Sequence, residues 1–289
     1  YLSKFFEPLV EVSDAKLKLK DGIISASLIN EMKTEFQLFL EEVIINEPTG
    51  LEQLYSPGYT YLNSSLANHY AIGASELSST MSKVDTDVNH GGLLHLGIFH
   101  ASNSGTDSTH LIRRARVVRE NLLCRNLGTP VGNIPETIVV PELASTREFW
   151  TVVNGPDTGI CWECHQYMND VGFALDSFDI QGKYRTTETV KGIRSQEGLE
   201  AMFDILTDGY FLSDETGEIS FSDLRDLSQI IGSSDKSAEC MSTRYLQFVR
   251  GYKGELSDSG FLKDAYMDSG MTKDLMIKQV VLPSFINKQ

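Results

Sequence analysis

The chain has 289 residues, 41% of them hydrophobic and 22% charged, which supplies a buried core and lies far from the composition of a disordered chain. Its 25 basic and 40 acidic residues leave a formal net charge of -15, a surplus that repels phosphate backbones and anionic headgroups and argues against nucleic acid as a partner. No run of about 18 apolar residues occurs, so no transmembrane segment is expected and the chain should be soluble or peripheral.

Residues 28–43 place Leu28, Ile29, Met32, Phe36, Phe39, Leu40 and Val43 at the three-and-four spacing of one helix face, with Glu31, Lys33, Glu35, Glu41 and Glu42 mostly elsewhere. A second amphipathic helix is expected over residues 108–124, where Leu111, Ala115, Val118 and Leu122 form the apolar stripe. Arg113, Arg114, Arg116 and Arg119 on that helix form a cationic cluster in an acidic chain. Further on, Pro130, Pro135 and Pro141, with Gly128 and Gly132, remove backbone donors and favour an extended linker or strap. Helices are expected next over residues 160–168, 197–206, 222–231, 238–249 and 272–281. Strand signals are sparse, and the acidic surplus, richest in residues 204–226 and 255–274, reads as a solvated surface.

In the first of those later helices stands Cys161-Trp162-Glu163-Cys164-His165, a C-x-x-C-H pattern. Two thiols one helical turn apart can reach both vinyl groups of a porphyrin, and the adjacent imidazole turns onto the iron. The expected cofactor is one covalent haem c on Cys161 and Cys164, with His165 as the proximal iron ligand. Three other readings compete: a disulfide between Cys161 and Cys164, a thioredoxin-type redox pair, and half of a zinc site. Zinc needs about four ligands, and no second C-x-x-C or H-x-x-x-H cluster supplies them. A thioredoxin-type pair should follow a buried strand, for which residues 151–155 are a short and poorly patterned candidate.

After the motif come Met168, Asn169, Asp170, Gly172, Phe173, Ala174, Asp176, Phe178, Asp179, Gly182, Tyr184, Arg185, Thr186 and Glu188. From Cys161 to Glu188 the chain resembles the signature of planctomycete-type cytochrome c proteins, C-x-x-C-H-x-x-M-D-P-x-G-F-A-x-E-x-F-D-x-x-G-x-[WY]-R-T-x-[ED]. Those are large bacterial proteins built from adjoining domain families of unknown function, 1592, 1588 and 1585. The chain departs from the signature at Asn169-Asp170, where the family has Asp-Pro, and at Asp176, where it has Glu. Upstream, residues 61–72 resemble the family's F-V-N-x-x-L-A-x-x-Y-G-I segment. Residues 91–94 resemble its glycine-leucine segment, and residues 119–124 its R-E-x-L-L-C segment.

Met168, one turn along the helix from His165, is expected to pack beside the porphyrin, with axial ligation as the alternative; Phe173 is expected at the cofactor, and Tyr184 and Arg185, following the haem segment, in reach of a propionate, which arginine binds through its planar fork. An exposed ion pair is the alternative for Arg185. The four helical arginines are expected on a solvated face, with propionates or an acidic partner as alternatives. His90, His95, His100 and His110, and Met202, Met241, Met267, Met271 and Met276, are candidate distal ligands, none preferred. Cys124 and Cys240 are left to form a disulfide or to stay as two buried thiols.

Motif and resemblance together imply an extracytoplasmic bacterial c-type cytochrome, periplasmic or at the cell surface. It is expected to transfer electrons with redox partner proteins or other cytochrome subunits, in a complex or oligomer. A haem enzyme of peroxidase or oxidase type, which needs an open distal position beside an acid–base residue, is one alternative. A cell-surface binding subunit with a structural haem is another. The expected fold class is mainly α: a helical domain over residues 1–127, a Pro-containing linker over 128–145 and a small helical c-type haem domain over 146–289.

Overall fold

The computed structural model describes residues 2–46, 51–73, 76–87, 89–128, 143–191 and 199–250, and within them the chain is mainly helical. It opens with α1 (Leu2–Leu9), α2 (Asp14–Lys18) and α3 (Ala26–Glu41). Ser13 and Ser25 cap α2 and α3 by accepting from the backbone nitrogens of Lys16 and Leu28. Along α3 the expected stripe turns inward through Ile29, Met32, Phe36, Phe39 and Leu40, and the helix runs on into a π-helical turn at Glu42–Asn46. Short α4 (Leu51–Tyr55) precedes β1 (Tyr59–Leu62), α5 (Ser64–Tyr70) and β2 (Ser82–Asp85), and the two strands pair antiparallel.

Next come α6 (Gly97–Ser102) and α7 (Leu111–Val117), the latter continued by a π-helical turn at Val118–Leu122. Leu111, Ala115, Val118 and Leu122 are all buried, as the periodicity requires. α8 (Thr146–Asn154) starts with a reciprocal capping box between Ser145 and Glu148. It leads to α9 (Ile160–His165) and α10 (Asn169–Leu175). The remainder is β3 (Thr187–Lys191), β4 (Glu200–Asp204), β5 (Gly209–Ser213), β6 (Gly217–Phe221), α11 (Leu224–Gly232) and α12 (Asp235–Arg250). Linker residues 129–142 and the helix expected over 272–281 lie outside the described residues.

The helix expected over residues 197–206 is instead β4, paired antiparallel with β3 so that Thr187 faces Asp204 and Lys191 faces Glu200. Glu, Ala and Met favour helices individually, yet burial here alternates with period two: Ala201 and Phe203 turn partly inward, while Glu200, Met202 and Asp204 face out. β5 and β6 form a third two-stranded antiparallel sheet, so strands are more frequent than the sparse signals suggest.

One hydrophobic cluster collects residues from Phe5 to Tyr245 and includes Met168, Val171, Ala174 and Leu175 from the segment behind the C-x-x-C-H helix. α10 reaches this core by lying close on α7. A Cβ at Gly172 would come within 2.7 Å of Leu111 Cδ1 and 3.0 Å of the Leu111 carbonyl oxygen, so the contact admits only a hydrogen. Gly182, at φ +75°, presses on Gly97, where a Cβ would stand 2.4 Å from the Gly97 carbonyl oxygen. Cys124 and Cys240 form a disulfide with Cα atoms 5.3 Å apart, tying the chain just after α7 to α12.

Four side chains expected on polar faces are buried: Glu35, Glu42, Arg114 and Arg119. Glu35 accepts from Thr60 Oγ1 and Tyr70 OH, each at 2.7 Å, and burial pushes its carboxyl up to about 7 against the pull of those bonds. Arg114 and Arg119 are 0% and 2% exposed, which corrects the solvated face expected for the arginine cluster. They follow Leu111 by three and Ala115 by four residues, on the border of the buried stripe, so the helix carries them inward. Arg116 does remain on the surface, paired with Glu120 at 2.8 Å.

Candidate functional site

α9 carries Cys161, Cys164 and His165 at positions i, i+3 and i+4, which share one helix face. No residue of α9 is fully buried, and Cys161 and Cys164 are partly exposed free thiols. Cys164 Sγ donates to the Leu127 carbonyl at 3.1 Å. The motif is therefore a turn of helix whose thiols can be reached from outside, backed by the first residues after the disulfide at Cys124.

His165 is held from two sides. Its ring lies nearly parallel to that of Trp150 on α8, centroids 6.2 Å apart and planes 17° apart, and its Nδ1 stands 3.0 Å from Asn169 Oδ1. Asn169 is buried, and its Nδ2 donates to the Asn154 carbonyl at 3.2 Å. A carbonyl only accepts, so the amide nitrogen must face Asn154 and the amide oxygen must face His165. The Nδ1 of His165 therefore carries the proton, and Nε2 keeps its lone pair. Burial holds the imidazole below its ordinary range, while the bond to Asn169 acts the other way.

Two buried guanidinium groups clamp this segment. Arg119 Nε donates to the Tyr167 carbonyl at 2.7 Å and its Nη1 to the Leu212 carbonyl at 2.9 Å, with the guanidinium 4.0 Å over the Phe211 ring. Arg114 Nη1 donates to the carbonyls of Leu175 and Phe178, both at 2.7 Å, and its Nη2 to Ser104 Oγ at 2.6 Å and the Asp179 carbonyl at 3.0 Å. A cation at the carboxyl-terminal end of α10 also suits the helix dipole. Burial lowers the two groups to about 10 for Arg114 and about 9 for Arg119, which leaves both charged at neutral pH.

The other expected site residues divide. Met168 is buried in the core beside α9, and Phe173 is buried under the Arg147 guanidinium, 4.9 Å from its ring centre. Arg185, expected at a propionate or in an exposed pair, binds buried Asp176, Nη2 to Oδ1 at 3.0 Å and Nε to the carbonyl at 3.2 Å. Asp176 is itself buried, and burial raises its carboxyl against the pull of Arg185. A carboxylate in that position needs a counter-charge, which is the physical reason for the pairing. Tyr184 lies 5.7 Å from Phe178 and 6.1 Å from His90, ring centre to ring centre. The end of the signature serves α8: buried Glu188 accepts from Thr146 N at 2.5 Å and from Thr146 Oγ1.

Of the candidate distal ligands, three histidines gather around Phe178, beyond the carboxyl-terminal end of α10 and at the other end of that helix from His165. His100 stacks on Phe178 with centroids 4.1 Å apart, and His90 and His95 meet it edge-on at 6.3 and 6.2 Å. Burial holds His95 down at about 3, so it is neutral, and His95 lines a cavity of about 20 Å³ with Tyr184, Asp223 and Arg225. His110 stands exposed at the head of α7, Met202 is exposed and Met241 buried. Met267, Met271 and Met276 lie outside the described residues.

Sequence reasoning gave Asn169 and Trp150 no part in the site and expected Arg119 on a solvated face. Asn169 opens α10 four residues after His165, past the turn that ends α9, so its contact with the imidazole comes from the fold and not from a shared helix face. Trp150 comes from a separate helix, and no spacing rule points to it.

Residues 90–188 match PSCyt3, a protein of unknown function (DUF1588), and residues 6–72 match PSD4, a protein of unknown function (DUF1592). The first match contains the whole C-x-x-C-H helix, and the two stand in adjoining positions along the chain, as two of the three families named by the resemblance. No curated protein and no solved structure matches the chain.

Proposed function

The chain belongs to the planctomycete cytochrome c-type proteins that carry these two domains side by side, and from that premise we propose that it is an extracytoplasmic c-type cytochrome with one covalent haem, working in electron transfer. The carrying observation is that two free thiols and an imidazole whose Nε2 keeps its lone pair share one face of an accessible helix turn. That donor set fits haem c: Cys161 and Cys164 would hold it through thioethers and His165 would bind the iron through Nε2. The haem would supply a one-electron couple. The chain's own residues orient the ligand through Trp150 and Asn169 and anchor the helix through Arg119, with Met168 packed behind it.

The competing readings of the motif find less support. α9 follows helix α8 and not the strand that a thioredoxin-type pair calls for. Zinc asks for about four ligands, and among the described residues no group of three or more His, Cys, Asp or Glu side chains is assembled for a metal.

The disulfide between Cys124 and Cys240 supports an oxidising compartment, the periplasm or cell surface. Among the described residues no helix is long and apolar enough to cross a membrane. A single haem passes electrons by meeting others, so the proposed partners are redox proteins or other cytochrome subunits in a complex or oligomer. The units over residues 1–127 and 146–289, joined by the 128–145 linker, are proposed to work as one body, because the core and the disulfide both bridge them.

The test is expression alongside a haem-attachment system. The Cys161→Ala/Cys164→Ala double variant should lose covalent haem, and His165→Ala should change the iron's ligation in the optical spectrum. A double variant that keeps covalent haem would place attachment elsewhere and overturn the assignment.

A further inference from the structure

The side chain of His165 is fixed in both orientation and proton position, and both constraints come from outside α9. Trp150 and Asn154 stand on the same helix, α8. One presents its ring to the imidazole, and the other presents its carbonyl to Asn169. We infer that Asn169 is a positioning residue that sets the tautomer of His165 and, through it, the donor strength of Nε2 toward the haem iron; the inference rests on the cytochrome reading above.

The chemistry follows from the acceptor type. An Nδ1–H bonded to a neutral amide oxygen keeps the ring an ordinary imidazole. A carboxylate in the same place draws the proton more strongly, makes the ring more electron-rich and favours the oxidised iron. Removing the acceptor weakens donation. Position 169 is where the chain has Asn and the signature it resembles has Asp, so this chain carries the weaker acceptor. Asn169 is buried and has both ends of its amide engaged, so its oxygen is held toward the imidazole.

The experiment has two arms. In the holoprotein, the midpoint potential is measured by spectroelectrochemical titration for the wild type, Asn169→Asp and Asn169→Leu. The expected order is Asp lowest, Asn between and Leu highest, and equal potentials or any other order overturns the inference. The second arm needs no folded variant of Asn169: ¹⁵N-labelled full-length chain without haem is examined by NMR for the His165 tautomer. A proton on Nδ1 is expected, and a proton on Nε2 overturns the hydrogen bond itself. A wild-type chain that takes no haem at all overturns the cytochrome reading and with it the effect on potential, while the tautomer still decides the contact. The two failures are thereby distinguishable.

Discussion

Arg119 Nε donates to the carbonyl oxygen of Tyr167 at 2.7 Å, so the second residue after His165 is tied to the helical turn that precedes the proline-containing linker. Five residues earlier on the same helix, Arg114 gathers the carbonyls of Leu175, Phe178 and Asp179. The two clamps hold α10 at both ends and so fix what lies next to it.

Replacing Arg114 with Leu removes this anchor and strands those carbonyl oxygens. The expected loss is about 3–5 kcal/mol, because buried polar groups left without partners carry their full desolvation cost. Urea unfolding of the variant would show it, and a loss within about 0.5 kcal/mol, typical of a surface change, would contradict the assignment.

Glu35 makes stability depend on pH. Its carboxyl ionises near 4.5 when unfolded and near 7 when folded, so between those values the folded chain holds a proton that the unfolded chain has lost. The contribution is full below pH 4.5 and falls as pH rises through 7, by about 3 kcal/mol in total. Glu35→Gln should remove that part of the slope and unfold later than the wild type above pH 7. Parallel stability profiles for the two chains between pH 4.5 and 7.5 would refute this.

Gly172 and Gly182 should differ in tolerance. Alanine at 172 meets a leucine tip, which can move, and a carbonyl at 3.0 Å, which cannot, for a cost of about 1–3 kcal/mol. Alanine at 182 meets Gly97 backbone at 2.4 Å from a left-handed conformation and should cost more. Thermal melts of Gly172→Ala and Gly182→Ala rank them, and the reverse order would contradict the packing described.

Reduction of Cys124–Cys240 opens a crosslink spanning 116 residues, which by loop entropy contributes on the order of 4–5 kcal/mol. The Cys124→Ser/Cys240→Ser variant should unfold at lower denaturant, and the proposed attachment of haem at Cys161 and Cys164 predicts no loss of covalent haem in it. Equal midpoints with and without the bond would show that the crosslink adds nothing.

Local patterns were the legible part of this chain. C-x-x-C-H spacing, the stripe of α3 and that of α7 each depend on neighbours within a few residues, and all appear as expected. Burial of Arg114 was hidden because its partners are carbonyls 61 to 65 residues away, and nothing in a carbonyl's sequence neighbourhood announces it. The strand at Glu200–Asp204 was hidden because its composition favours a helix, while its pairing with Thr187–Lys191 is a tertiary fact. The signature from Gly172 to Glu188 reads in the structure as an internal lock, through Gly172, the Asp176–Arg185 pair, Gly182 and Glu188.

The measurement that tests the central claim most directly is an optical spectrum of the purified protein, oxidised and reduced, followed by denaturation in alkaline pyridine. The account predicts a c-type spectrum with one haem per chain that stays on the polypeptide after denaturation. A chain without haem absorbance, or one that releases its haem into the pyridine, would contradict it and leave Cys161 and Cys164 to be explained in another way.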